Sequence, residues 1–149
     1  MPDILRTHSD NPDFRGLVAL LDQGLAVQNG EDHAFYAQFN KVDKIKHCVI
    51  AYLDSQAVGC GAIRAYDDAR IEVKRMFVLP EFRWRGIAGK ILSALEQWSA
   101  ELGYPRCILE TGKNLPEAIA LYLKSGYQIT PNYGQYEGVD NSVCMEKRL

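Results

Sequence analysis

The stretch Val78-Leu79-Pro80-Glu81-Phe82-Arg83-Trp84-Arg85-Gly86-Ile87-Ala88-Gly89-Lys90 decides how the rest of the chain is read. An apolar strand over residues 73–79 runs into a proline. An Arg-x-x-Gly-x-Ala loop then opens directly onto a helix. The small residues Gly86, Ala88 and Gly89 let a ligand approach the backbone closely. The first N–H groups of a helix have no internal partner, so they point at whatever fills the loop. Arg83, Arg85 and Lys90 add three cations around those donors. Together these features describe a phosphate cradle.

Outward from the cradle, elements follow in both directions. The apolar residues Ile87, Ile91, Leu95, Trp98 and Leu102 form one helical stripe, closed by Gly103 with Pro105 beyond it. Residues 106–110 read as a strand. Asn114-Leu115-Pro116-Glu117 has the form of a capping box, and Ala118, Ile119 and Tyr122 share a helical face that stops at Ser125-Gly126. Residues 127–130 and 142–147 read as a final strand pair. Toward the start, residues 47–53, 57–66 and 70–79 read as three antiparallel strands joined by turns at Asp54-Ser55-Gln56 and Asp67-Asp68. Residues 4–7 form a short first strand. Asn11-Pro12-Asp13 then offers a helix cap ahead of Leu17, Leu20, Leu21 and Leu25, and Asn29-Gly30 stops that helix. Residues 31–40 read as a second, shorter helix. The order is β-α-α-β-β-β-α-β-α-β-β: an α/β fold with a mixed, twisted sheet of about seven strands and helices on both faces. The helical crossover makes the 70–79 and 106–110 strands parallel neighbours.

At 149 residues, without a repeat or linker, the chain reads as one domain over residues 1–149. Apolar residues make up 47% and charged residues 24%, as in an ordinary globular protein. A net charge of −2 with no basic run argues against nucleic acid as a ligand. No apolar run reaches the roughly 20 residues that cross a bilayer, and Met1-Pro2-Asp3-Ile4 does not read as a secretory signal. Cys48, Cys60, Cys107 and Cys144 are widely spaced in apolar segments, without metal-ligand or redox spacing. They are expected to be buried thiols in a cytoplasmic protein that holds no metal.

The cradle, Arg83-Trp84-Arg85-Gly86-Ile87-Ala88, resembles the [Gln/Arg]-x-x-Gly-x-[Gly/Ala] signature of the GNAT superfamily of N-acetyltransferases. Residues 114–127 are similar to that family's Asn-x-x-Ala-x-x-Leu-Tyr-x-x-x-Gly-[Tyr/Phe] block. The likeness runs from about Ala57 to the end. It implies acetyl-CoA as cosubstrate, a small-molecule or peptide amine as acceptor, direct transfer in a ternary complex, and an acyltransferase activity. A catalytically silent acyl-CoA-binding sensor is the rival, and pairing into a homodimer is left open. A nucleoside-triphosphate P-loop is excluded, because the loop lacks the Gly-Lys-[Ser/Thr] ending.

The resemblance assigns the pyrophosphate to the residues from Arg83 through Lys90, namely Arg83, Trp84, Arg85, Gly86, Ile87, Ala88, Gly89 and Lys90. It assigns the pantetheine arm to the backbone of Met76, Phe77 and Val78. Asn114 either caps its helix or touches coenzyme A. Glu72 lies 11 residues before Arg83, where relatives place a strand base, and alternation puts it on one strand face with Lys74, Met76 and Val78. It is either the general base or a solvent-side charge paired with Arg70 or Lys74. Tyr122 matches the family's general acid, and is otherwise a core tyrosine. The oxyanion donor falls to a backbone N–H near Phe77 or Val78. Tyr36, Phe39, Asn40 and Glu110 are candidate acceptor-site residues. Tyr133 and Tyr136 divide between pocket and core, and His8, His33 and His47 read as structural.

Overall fold

The computed structural model describes residues 2–29 and 44–149. The expected second helix, Gly30, His33 and the candidates Tyr36, Phe39 and Asn40 lie outside the described residues. The chain runs β1 (Asp3–Thr7), α1 (Pro12–Asn29), β2 (His47–Leu53), β3 (Gln56–Ala65), β4 (Arg70–Val78), α2 (Ile87–Glu101), β5 (Arg106–Gly112), α3 (Pro116–Lys124), β6 (Gln128–Thr130) and β7 (Ser142–Arg148). The strands form a seven-stranded sheet in the order β1-β2-β3-β4-β5-β7-β6. Among the described residues only the β4–β5 pairing is parallel, as the intervening α2 requires; the others are antiparallel.

Local chemistry explains most boundaries. The Asn11 side chain accepts from the Asp13 N–H at 2.9 Å, capping α1 ahead of Pro12. Leu53 pairs with Gln56, so Asp54 and Ser55 alone make the β2–β3 turn, both at positive φ (49° and 68°). That left-handed pair matches the twist of the hairpin. At the end of α2, Gly103 takes φ 93°, and the Tyr104 N–H closes on the Ser99 carbonyl at 3.1 Å.

Both sheet faces are covered. Ile87, Ile91, Leu92 and Leu95 of α2 pack with Val49, Ile63, Ile71, Val73 and Leu109 on one face. Phe14, Leu17 and Val18 of α1 pack with Cys48, Ile50, Cys60 and Ala62 on the other. The α1 stripe differs from the expected one: Leu20 is 44% exposed, while Phe14 and Val18 are buried. All four cysteines are free and buried.

One irregularity redirects β4. Ala62 pairs with Lys74 and Cys60 with Phe77, leaving Gly61 opposite both Arg75 and Met76. Arg75 is therefore a β-bulge, with φ 60°. The extra residue flips the alternation. Glu72, Lys74 and Phe77 face α1, whereas Met76 and Val78 join the core under α2. The expected common face of Glu72, Lys74, Met76 and Val78 is thus corrected: the bulge divides it into two.

Candidate active site

Strands β4 and β5 pair at only three positions, Arg70↔Arg106, Ile71↔Cys107 and Glu72↔Ile108. Beyond Glu72 the strands separate, and β5 continues to pair with β7 on its far side. The facing edge of β4 alongside Met76, Phe77 and Val78 is consequently open to an extended ligand, except at the Val78 carbonyl, which accepts from Arg83. A cleft of about 160 Å³ occupies this side of the molecule. Leu21 and Leu25 of α1 form one apolar wall; residues 72–76, residues 110–112, Tyr122 and Tyr136 are among the others that line it.

Two carboxylates meet in the cleft. Glu72 is 8% exposed and accepts a hydrogen bond from the Tyr133 hydroxyl. The Lys74 ammonium stands 3.7 Å from its other oxygen. The expected alternative of a solvent-side charge does not describe this burial. Glu110 accepts from the Ser142 hydroxyl at 2.7 Å. Burial pushes its carboxyl up to about 7, with the neighbouring Glu72 charge adding to the rise; Ser142 and Lys74 oppose it. Tyr122 is 7% exposed and stacks edge-on against Tyr127 at 5.8 Å. Burial, then the Glu110 charge, raises its phenol well above the ordinary tyrosine value, so it stays protonated. Tyr136 also lines the cleft, while Tyr133 acts through Glu72.

At the far end of the open edge, α2 begins without a side-chain cap among the described residues. Gly86 sits at φ 78°, and its carbonyl accepts the Lys90 N–H at 3.2 Å as the first helical bond. The N–H groups of Ile87, Ala88 and Gly89 lie ahead of that bond. A Cβ built on Gly86 or Gly89 meets nothing within 4 Å, so the space beside those donors is open. Ile87 itself is buried (2% exposed) and offers only its backbone. Arg83 donates from Nε to the Val78 carbonyl at 2.9 Å and lies over the Phe77 ring, and Arg85 lies over Phe82. Both guanidinium groups are braced at the cradle rim. Trp84 is 84% exposed at φ 68°. This lining suits a pyrophosphate: backbone donors, a helix dipole, and cations at the edge.

Asn114 does not cap α3. Pro116 occupies the first turn, which makes Leu115 the cap residue, and no side chain bonds there. The Asn114 side chain instead accepts from Asn141 at 3.2 Å, tying the end of β5 to the start of β7.

Arg75 is the cleft residue that strand alternation did not bring to notice. A signal was present: the pattern Ile71-Glu72-Val73-Lys74 breaks at Arg75, where two charged residues adjoin. Among the described residues, no cluster of three or more His, Cys, Asp or Glu side chains could hold a metal ion.

The sequence of this chain over residues 11–127 matches the model of the Acetyltransferase (GNAT) family. The chain belongs to that family. As a GNAT acetyltransferase it is an acyltransferase enzyme. It is 34% identical over 139 residues to the uncharacterized N-acetyltransferase YjgM of Escherichia coli, covering 90% of this chain and 80% of that protein. It is 36% identical over 102 residues to the IAA acetyltransferase of Azospirillum brasilense, covering 68% and 67% respectively. An acyl-CoA N-acyltransferase structure from Klebsiella pneumoniae superposes with a TM-score of 0.83 at 28% identity, over 100% of this chain and 98% of that one. A GNAT acetyltransferase from Elizabethkingia anophelis, solved with acetyl-CoA bound, shares the fold at a TM-score of 0.72 and 19% identity, over 99% and 98% of the two chains.

Proposed function

We propose that this GNAT enzyme moves an acetyl group from acetyl-CoA to a primary amine of a small molecule or peptide, by direct attack within a ternary complex. One observation carries the reading. A strand edge left open beyond Glu72 leads from the uncapped start of α2 to a cleft holding Glu110 and Tyr122. Acetyl-CoA supplies a thioester-activated acetyl group. The α2 N–H groups, with Arg83, Arg85 and Lys90 beside them, hold its pyrophosphate. The open backbone of Met76, Phe77 and Val78 pairs with its amide-bearing arm, and an N–H at Phe77 or Val78 steadies the carbonyl oxygen as charge develops.

An acceptor ammonium, with an ordinary pKa of ~10.4, must lose a proton before it attacks. Of the two carboxylates, Glu110 suits this task better. A carboxyl raised to about 7 is partly ionised at neutral pH and is matched to proton transfer there. Glu72 is engaged by Tyr133 and Lys74, and its carboxylate draws the ammonium into the cleft. This assignment moves the base from Glu72, the strand position first expected, to Glu110. Tyr122 then donates its proton to the departing sulfur. No cysteine is needed as an acetyl carrier. The buried thiols of Cys48 and Cys60 are pushed up to about 12, which suppresses their nucleophilic form.

The test is thiol release from acetyl-CoA against a broad panel of primary amines. Amine-dependent release, lost in both Glu110→Gln and Tyr122→Phe, supports the reading. Tight coenzyme A binding without turnover on any amine would overturn it in favour of the sensor.

A further inference from the structure

Acetyl transfer as proposed above leaves Arg75 without a task. The residue is 6% exposed, on left-handed backbone with φ 60°, at the bulge that forms part of the cleft wall. Its Nη1 pairs with Asp22 of α1 at 2.7 Å. Its Nη2 is buried and has no hydrogen-bond partner among the described residues. Strained non-glycine backbone and an unmatched buried donor both cost free energy. Two such costs on one wall of one cleft point to a ligand that offsets them.

The cleft is also polarised along its length. Glu72 and Glu110 lie where the two strands part, with the Lys74 ammonium 3.7 Å from Glu72, and the guanidinium of Arg75 lies further along β4, turned to Asp22 of α1. An ammonium belongs at the first pair. A guanidinium is a planar fork that matches a carboxylate, and Asp22 engages only one of its prongs. We propose that the acceptor is a small amino-carboxylate, a free amino acid or close analogue, whose carboxylate is taken by the guanidinium of Arg75. This rests on the acetyl-transfer reading and names the substrate class of that same cleft. Asp22, 42% exposed at the side chain, holds the guanidinium plane in register and competes with the incoming carboxylate.

The experiment compares kcat/KM for a set of amino acids, their amides and the corresponding decarboxylated amines. The acids are expected to lead by roughly 10- to 100-fold, the scale of a hydrogen bond to a charged group, with the difference in KM. Arg75→Gln should erase that lead by raising KM for the acids. Asp22→Asn, at a half-exposed position of α1, should widen it by loosening the hold on the prong that Asp22 occupies, so the test does not depend on Arg75→Gln folding. Equal turnover of acids and amides, a preference for diamines, or a lead that survives both variants overturns the assignment and leaves acetyl transfer intact. Absence of turnover on every amine refutes both together.

Discussion

Replacing Gly86 by alanine separates backbone strain from steric fit at the cradle. Gly86 lies at φ 78°, and an added Cβ meets nothing within 4 Å. The change therefore creates no clash in the free protein. What remains is left-handed backbone, worth about 1–2 kcal/mol for a residue with a Cβ. A more restricted unfolded chain returns about 0.4–1 kcal/mol. The net loss of about 1 kcal/mol lowers the melting temperature by about 2–4 °C in a chain of this size. If the backbone relaxes instead, the N–H groups of Ile87, Ala88 and Gly89 turn away from the loop. Each charge-assisted bond so lost weakens coenzyme A binding by about 10- to 100-fold. Gly89→Ala is the control. It sits in the first turn of α2 at no positive φ and with the same open space, so alanine should raise stability by about 0.5–1 kcal/mol. Calorimetric melting and titration with coenzyme A read both effects. If Gly86→Ala melts with the parent and binds coenzyme A equally well, the cradle reasoning is wrong.

Glu110, the proposed base, is expected to shape both rate and stability as pH changes. Its folded-state pKa of about 7 exceeds the ordinary 4.5, so folding favours the protonated form. That stabilising contribution is fully present below about pH 4.5 and is lost as pH rises through 7. Glu110→Gln should flatten this slope in melting scans, melt higher than the parent above pH 7, and slow turnover by about 10²–10⁴-fold. Glu72→Gln removes a charge that raises the Glu110 pKa, so the acid limb of the rate profile should move to lower pH; an unmoved limb separates the two carboxylates. Tyr122→Phe should cut kcat while coenzyme A affinity stays near the parent's, and an unchanged kcat removes the phenol as acid. Gly61→Ala would place a Cβ 2.8 Å from Leu95 Cδ1 and Met76 Sδ. The resulting overpacking should cost about 1–3 kcal/mol in denaturant unfolding; a neutral result would mean that the contact relaxes freely.

The fold was legible where one local rule acted alone. The stripe of Ile87, Ile91 and Leu95 faces the core as its spacing requires, and Asn11 caps α1 as its place before Pro12 suggests. The glycine loop and the start of α2 were readable for the same reason: a turn and a helix start are short-range events. The site was less so. Met76 and Glu72 lie on opposite faces because of a bulge, and a bulge is set by what the neighbouring strand accommodates, here Gly61. Asn114 carried the composition of a cap, but the Pro116 turn starts one residue later and Asn141 claims the side chain. Tyr133 reaches Glu72 across 61 residues of sequence, a separation no local pattern encodes. The raised pKa of Glu110 likewise comes from burial, which only assembly creates.

The short junction between β4 and β5 has a mechanical consequence. Among the described residues, those three residue pairs are the only ladder joining a four-stranded half, β1 to β4, to a three-stranded half, β5 to β7. An extended ligand along the open edge acts as a splice, lengthening the seam between the halves without adding a residue to the chain. Loading the enzyme should then slow amide hydrogen exchange on both sides of the seam at once, including residues that never touch the ligand. Discharge would return the sheet to its looser state, so the tightness of the seam reports how far the enzyme has travelled through its cycle.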